Sequence, residues 1–271
     1  MQIMQVSSGQ MRNLDANLGR DTIFLDWTPR GDDLIVKVDA VRDPRVYRVD
    51  IDSGKAKALP VPWSTYNVTF SHDGKRMLCA LSQGLGFGSE VWIADAEGNN
   101  PRRILNDPAH IIAFPRWSPS DDRIAYLRMP DSNVPFTMGE LWVMDGEGND
   151  PTLLGEADAG HGYAPAWSPD GTHIAFVGRE NETNKTADQL AERLTSNIYL
   201  ADVRGQRVTA ATRFKGALTE APVWSPDGKA LTFSSTAGGT MDVWIYEREG
   251  RKLQQVTQGA NARHPTWLPG K

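Results

Sequence analysis

Eight polar residues stand shortly before aromatic residues that recur along the chain: His110, Arg116, His161, Tyr163, Glu220, Arg263, His264 and Tyr66. Imidazole and carboxylate groups are common ligands of zinc and other transition metals, while guanidinium and phenol groups hold polar ligands by hydrogen bonds. Gathered at one edge of a fold, such side chains predict a polar binding pocket. The three histidines precede their tryptophans by unequal distances of three, six and seven residues. This inequality favours a binding pocket over a metal centre, and we predict no metal, no catalytic residue and no cofactor.

Motifs of self-contained enzymes do not occur in the sequence. It has no G-x-S-x-G nucleophile elbow, P-loop, dinucleotide-binding fingerprint or H-E-x-x-H zinc motif. The acidic segments 95–100 and 145–150 carry the oxygen ligands that calcium prefers, but they lack the distal glutamate of an EF-hand loop. Because both stand at the same place in a repeated unit, we interpret them as turns whose aspartates bond the turn backbone.

The elements that position the polar residues come from a repeated sequence. Its anchors follow one another at intervals of 43, 47, 50, 57 and 43 residues. The fuller copies read WSPDGTHIAFVG from Trp167 and WSPDGKALTFSS from Trp224. A period of this length suits a four-stranded propeller blade better than a two-helix solenoid unit. The anchors of repeats one to six are Trp27, Phe70, Trp117, Trp167, Trp224 and Trp267.

Each repeat is interpreted as four strands, A to D, in a meander. Residues 173–177 alternate in polarity after a Pro/Asp/Gly turn and predict a strand B, while the apolar run 140–143 predicts a strand C. The fold class is therefore all-β, a six-bladed β-propeller of four-stranded antiparallel blades in a single domain over residues 1–271. The last blade is built from both termini and is expected to be incomplete. The blades are expected at 15–60, 61–106, 107–155, 156–213, 214–258, and 259–271 with 1–14.

The WSPDG block, the polar-Val-Trp-Val strand and the DxxGxxPRxL hairpin resemble the TolB-type repeat of bacterial propellers, over essentially the whole chain. The resemblance implies a protein partner bound at one face. Similar repeats form the propeller domains of prolyl-oligopeptidase-like serine peptidases. They also form the oligogalacturonate lyases, and these lyases use a histidine-rich metal site. The α/β domain that precedes the propeller in TolB is lacking here, so the resemblance implies a relative of TolB rather than TolB itself.

Charge and hydropathy argue against several classes of partner. The formal net charge is −5 and the chain has no basic run, so neither nucleic acid nor an anionic membrane surface is an expected partner. No apolar stretch reaches the length of a membrane-spanning helix. The first residues lack the basic segment and apolar core of a signal peptide, which predicts the cytoplasm, or the periplasm if a signal has been removed. We expect a monomer.

Function on a repeat scaffold resides where the repeats diverge. In a propeller the polar residues before the anchors lie at the mouth of the central channel, and the loops between strands B and C open on the same face. These loops carry the apolar residues Phe87, Val134 and Phe136, which suit partner contact. The sequence thus predicts a non-enzymatic module that binds a protein or peptide at the mouth and these loops. The alternative is a metal-dependent lyase of acidic sugars or the propeller of a prolyl-oligopeptidase-like peptidase.

Overall fold

The computed structural model of the chain describes residues 2–5, 10–13, 18, 22–38, 45–158, 163–180, 190, 193–205 and 207–267. The chain divides into two compact units: Met1–Gln83 with Glu90–Leu105, and Gly84–Ser89 with Asn106–Lys271. Among the residues described, the regular elements are strands, together with a short 3-10 helix at Glu249–Arg251. In the part of the chain that the structure describes, no helix has the length and apolarity needed to span a membrane.

The first ten strands form three antiparallel sheets. A two-stranded sheet pairs β1 (Gln2–Gln5) with β2 (Gln10–Asn13). Sheet one runs in chain order through β3 (Thr22–Trp27), β4 (Asp33–Val38), β5 (Arg45–Asp50) and β6 (Ala56–Ala58). Sheet two follows in the same way with β7 (Thr65–Phe70), β8 (Arg76–Leu81), β9 (Ser89–Asp95) and β10 (Arg102–Asp107).

The remaining strands form three further meanders of four. Sheet three contains β11 (His110–Trp117), β12 (Arg123–Pro130), β13 (Gly139–Asp145) and β14 (Thr152–Ala157). Sheet four contains β15 (Ala166–Trp167), β16 (His173–Arg179), β17 (Ser196–Asp202) and β18 (Arg207–Ala210). Sheet five contains β19 (Thr219–Trp224), β20 (Ala230–Ser235), β21 (Asp242–Glu247) and β22 (Lys252–Gln255). The predicted all-β fold of four-stranded antiparallel sheets is confirmed.

Aspartates close the hairpin turns. Between strands A and B of sheet two, the Ser71 hydroxyl and the Lys75 amide donate to Asp73 at 2.7 and 3.0 Å. These two bonds lower the pKa of Asp73 to about 2. Between strands C and D, Asp95 accepts two amide hydrogens of its own turn at 2.8 and 3.0 Å, and Asp145 accepts two at 2.7 and 2.8 Å. The interpretation of the acidic segments as turns is confirmed.

The core of the second unit lies between neighbouring sheets. Strand β16 alternates its side chains between two apolar clusters, because successive residues of a strand point to opposite faces. Ile174 and Phe176 pack with residues of sheet three, whereas Ala175 and Val177 pack with residues of sheet five. Both faces of this middle strand are therefore buried, which explains its nearly continuous apolar run.

The anchor tryptophans of repeats four, five and six join each of these repeats to the one before it. The indole N–H donates to the main-chain carbonyl of the residue that precedes the previous anchor. The bonds are Trp167 to Arg116 at 3.1 Å, Trp224 to Ala166 at 2.9 Å and Trp267 to Val223 at 3.3 Å. Residues 256–267 form no strand, yet Trp267 makes the same bond as the earlier anchors. Repeat six therefore begins in register with the others.

Candidate binding site

A β-bulge interrupts the first strand of four sheets shortly before the anchor. The pairing register shifts within β3, β7, β11 and β19. Phe114, Ala221 and His264 each stand three residues before a tryptophan and adopt φ values of 51°, 53° and 53°. This left-handed conformation costs a residue other than glycine about 1–3 kcal/mol. Bulges redirect the side chains beside them and are common next to functional sites. The position that precedes these residues, four residues before the anchor, is therefore a candidate functional position.

Polar residues at that position in three successive repeats are linked by hydrogen bonds. The position holds the same place in every repeat, so residues in successive repeats are brought together when the sheets pack side by side. In the second unit this applies to Tyr163, Glu220 and Arg263. The sequence shows that each of them lies four residues before its anchor. A search that starts from the histidines misses this, because the histidines lie at unequal distances from their anchors. Across repeats one to six the position carries Ile23, Tyr66, Ala113, Tyr163, Glu220 and Arg263.

Glu220 is the centre of this contact. Its side chain is only 1% exposed. The Tyr163 hydroxyl donates to its Oε2 at 2.5 Å, and Nη1 of Arg263 donates to its Oε1 at 3.3 Å. Burial of the phenol, together with the hydrogen bond to Glu220 and the negative charge of Glu220, raises the pKa of Tyr163. The phenol therefore stays protonated and remains a donor to the carboxylate.

His264 completes the group. Its ring centroid lies 6.0 Å from that of Tyr163, with the two planes at 39°. Its backbone amide donates to the Ser234 hydroxyl at 3.1 Å, which holds the chain against β20. We call Tyr163, Glu220, Arg263 and His264 the mouth cluster. It joins a buried carboxylate to a half-exposed guanidinium, with two rings alongside.

His110 belongs to a different group. Its Nδ1 lies 2.9 Å from Asp107 and 2.9 Å from Nη2 of Arg128. Arg128 also bonds Asp107 at 2.7 Å and Glu140 at 3.2 Å, and its guanidinium lies 5.5 Å from the ring centre of Trp142. His110 and Arg128 line a cavity of about 370 Å³. The structure thus places His110 in an ion-pair group and gives it no contact with the mouth cluster.

The other predicted pocket residues are placed separately. Arg116 follows the bulge of β11, and its Nη1 lies 3.5 Å from the carbonyl oxygen of Pro115. Tyr66 is half-buried in β7 of the first unit. His161 lies outside the described residues. Within the residues that the structure describes, no group of three or more His, Cys, Asp and Glu side chains is arranged to hold a metal ion.

The B-to-C loops of sheets two and three are tied to each other. The amides of Gly86 and Gly88 donate to one oxygen of Asp131, at 2.7 and 2.8 Å. Close by in sequence, Leu85 is 60% and Phe87 is 65% exposed. Gly88 has no room for a side chain, since an added Cβ would lie 2.1 Å from the carbonyl oxygen of Asp107.

The second of these loops is fixed at its far end as well. The carbonyl of Phe136 accepts a hydrogen bond from Arg179, whose guanidinium also pairs with the fully buried Asp158 at 3.0 Å. Phe136 is therefore half-buried and held through its main chain, whereas Val134 is 44% exposed. We call Leu85, Phe87 and Val134 the loop surface. Leu85 joins it although the sequence gives that residue no special signal.

Comparison with known proteins agrees with this geometry. The family model of the TolB beta propeller domain matches residues 140–271. A putative TolB from Agrobacterium tumefaciens has a TM-score of 0.64 and 19% identity, covering 94% of this chain and 87% of that one. TolB from Acinetobacter baumannii has a TM-score of 0.63 and 21% identity, covering 99% of this chain and 62% of that one. The chain shares the fold of these TolB propellers.

The chain also resembles enzymes in its fold. An oligogalacturonate lyase from Vibrio parahaemolyticus has a TM-score of 0.64 and 14% identity, covering 94% of this chain and 71% of that one. Identities this low establish the fold alone, and one fold carries many activities. The chain spans 62% of the length of the Acinetobacter TolB. No curated protein matches it.

Proposed function

We propose that this TolB-like propeller is a non-enzymatic binding module that holds a protein or peptide partner at the mouth cluster and the loop surface. The observation that carries the proposal is the state of the two B-to-C loops. Hydrogen bonds to Asp131 and from Arg179 order their main chains, while the apolar side chains of the loop surface stay exposed. Large apolar side chains left in water on an ordered loop are typical of an interaction surface.

The order of these loops favours binding on energetic grounds. A flexible loop loses conformational entropy when a partner fixes it, and this loss is subtracted from the affinity. Here the folded chain has already fixed the loops. Burial of Phe87 and Leu85 beneath a partner then adds to affinity with little ordering cost. The resemblance of the repeat to the TolB type, which implies a protein partner, also supports the proposal.

A pair of matched variants tests the proposal. We expect F87S/V134S to fold as the wild type does but to bind the partner at least tenfold more weakly, since interface anchors contribute about 1–2 kcal/mol or more each. The control is L253S, which likewise replaces an apolar side chain with serine, at a position on β22 that is 39% exposed. The wild type, L253S and F87S/V134S are each immobilised, and the proteins that bind to the first two but not to F87S/V134S are purified. The dissociation constant of each such protein is then measured by calorimetry for all three chains. Equal affinity for all three chains would contradict the proposal.

The enzyme alternative has its own readout. A metal-dependent lyase would contain a stoichiometric divalent metal and would be stabilised against heat by that metal. The proposal predicts no such stabilisation by manganese, zinc or nickel, and no cleavage of oligogalacturonate. A metal-dependent rise in melting temperature that H264A abolishes would refute the non-enzymatic function.

A further inference from the structure

We propose that the mouth cluster recognises a carboxylate group of the partner, with Arg263 as the residue that binds it. This inference rests on the proposed function and adds the chemistry of the partner to it. The cluster brings one exposed cation and one buried anion into contact, and the difference in their exposure decides which charge a ligand meets.

Arg263 has most of its hydrogen-bonding capacity unused. A guanidinium carries five N–H donors in a planar fork. Among the described residues, the protein contact of Arg263 is the bond from Nη1 to Glu220, and its side chain is 49% exposed. The edge formed by Nε and Nη2 therefore remains for a ligand. Two parallel N–H donors match the two oxygens of a carboxylate.

Glu220 cannot serve as the ligand-binding group itself. Each of its oxygens already accepts a hydrogen bond, one from Tyr163 and one from Arg263, and its side chain is 1% exposed. Its charge is enclosed by the protein, whereas that of Arg263 reaches solvent. Glu220 thus holds the guanidinium by Nη1 and leaves the partly exposed cation as the charge that a ligand meets, which selects an anion over a cation.

The scaffold does not require these charges. Repeats one and three carry Ile23 and Ala113 at the same position, four residues before the anchor, and both repeats form complete sheets. A buried glutamate is also costly unless it is paired. The charged pair in repeats five and six is therefore an addition to the fold, as expected for a binding group.

A planar carboxylate fits this cluster better than a phosphate does. Phosphate groups in proteins are usually held by several cations or by a row of backbone amides. The described mouth cluster offers one arginine, with the rings of Tyr163 and His264 beside it. One arginine matches one singly charged carboxylate. The C-terminal carboxylate of a peptide and the side chain of an internal aspartate share this chemistry.

The test uses nuclear magnetic resonance of the whole chain with ¹⁵N-labelled arginine. The Nε–Hε signal of Arg263 is assigned by its loss in R263Q. We expect N-acetyl-trialanine with a free C-terminus to shift this signal in a saturable way, and its C-terminal amide to bind at least tenfold more weakly. Peptide binding to the variants is measured by calorimetry: R263Q should weaken it at least tenfold, while R213Q, a change at another exposed arginine, should leave it unchanged.

Further arms separate the sources of the anion. If an amidated peptide with one internal aspartate binds as well as the free acid, the group recognised is an acidic side chain. If the free acid binds more tightly, the group recognised is a chain terminus. Either result supports the proposal. Tighter binding of inorganic phosphate than of either peptide, or equal binding of the trialanine acid and its amide, overturns it. If F87S/V134S loses the partner while R263Q keeps it, the binding module stands and the carboxylate site falls.

Discussion

At the scale of single residues, Glu220 shows how an ionised group is kept inside a protein. A buried carboxylate loses its hydration, and it is tolerated only when hydrogen bonds and an opposite charge replace that water. Tyr163 supplies a short hydrogen bond and Arg263 supplies the charge. The two partners come from repeats four and six, so the pairing depends on packing rather than on closeness in the sequence.

Removal of the phenol hydroxyl is expected to destabilise the chain. Y163F deletes one of the two partners of a buried carboxylate, and hydrogen bonds to charged groups contribute about 1.5–3 kcal/mol. We therefore expect the free energy of unfolding in urea to fall by about 2 kcal/mol. The matched change is Y47F, since the hydroxyl of Tyr47 has no hydrogen bond to a described residue. Equal losses in the two variants would show that the Glu220 bond does not stabilise the fold.

The residue scale also marks a limit of prediction from sequence. The turn aspartates are predictable because Asp73 bonds residues within two positions of itself. The group of His110 is not, since Asp107 lies three residues before His110 but Arg128 and Glu140 come from two other strands. The mouth cluster lies between these cases. Its shared offset is written in the repeats, but only packing shows that successive repeats put those side chains in contact.

At the scale of elements, the first residue of strand C in sheet five holds the segment that follows strand D by hydrogen bonds. In sheet five Asp242 is fully buried and accepts bonds from the hydroxyls of Thr240 and Thr257 and from the amides of Gly259 and Ala260. One carboxylate thus fixes the path of the chain from β22 toward repeat six. That path ends at the mouth cluster.

These bonds make the stability of sheet five depend on pH. Above all the bond from Thr240, with those from the other donors, lowers the pKa of Asp242 from 3.8 to about 2, against the opposing effect of burial. A folded-state pKa below the unfolded value stabilises the fold above about pH 4 and ceases to do so as the pH falls toward 2. We expect wild type to be more stable than D242N at pH 7, and the gap to close between pH 4 and pH 2, measured by urea unfolding. A gap that stays constant over this range would contradict the assignment.

The anchor tryptophan is the element that joins neighbouring sheets. W224F removes the indole N–H that bonds the Ala166 carbonyl and leaves space in the core, so we expect a loss of about 2–4 kcal/mol of unfolding free energy. W63F is the matched substitution, because Trp63 is 62% exposed. It should change stability by less than about 0.5 kcal/mol. Comparable losses would mean that the anchors act through general hydrophobicity alone.

At the scale of the whole molecule, the fold is the most predictable feature because the same pattern recurs. A single strand pattern such as that of β16 is ambiguous, but recurrence at a nearly constant period identifies four-stranded units. The function is the least predictable. The scaffold positions repeat, whereas the mouth cluster and the loop surface are defined by departures from the repeat.

Repeat proteins gain stability from nearest neighbours, so damage should stay local. We expect W224F to raise amide hydrogen exchange in sheets four and five, which share the cluster around Trp224. Amides of β4 and β8 in the first unit should keep the protection that they have in the wild type. Hydrogen exchange followed by mass spectrometry resolves the two regions. A uniform increase along the chain would show that the repeats unfold as one cooperative body.

The indole bonds have a consequence for how such a chain grows and diversifies. Trp167, Trp224 and Trp267 each donate to a main-chain carbonyl, and the residue that provides it is an arginine, an alanine or a valine without effect on the bond. A duplicated repeat therefore carries this hydrogen bond with it, whatever side chain its neighbour has at the position that provides the carbonyl. The indole bond and the polar side chains of the mouth cluster thus depend on different positions. A new copy can therefore acquire a glutamate or an arginine four residues before its anchor without losing the bond that attaches it to its neighbour.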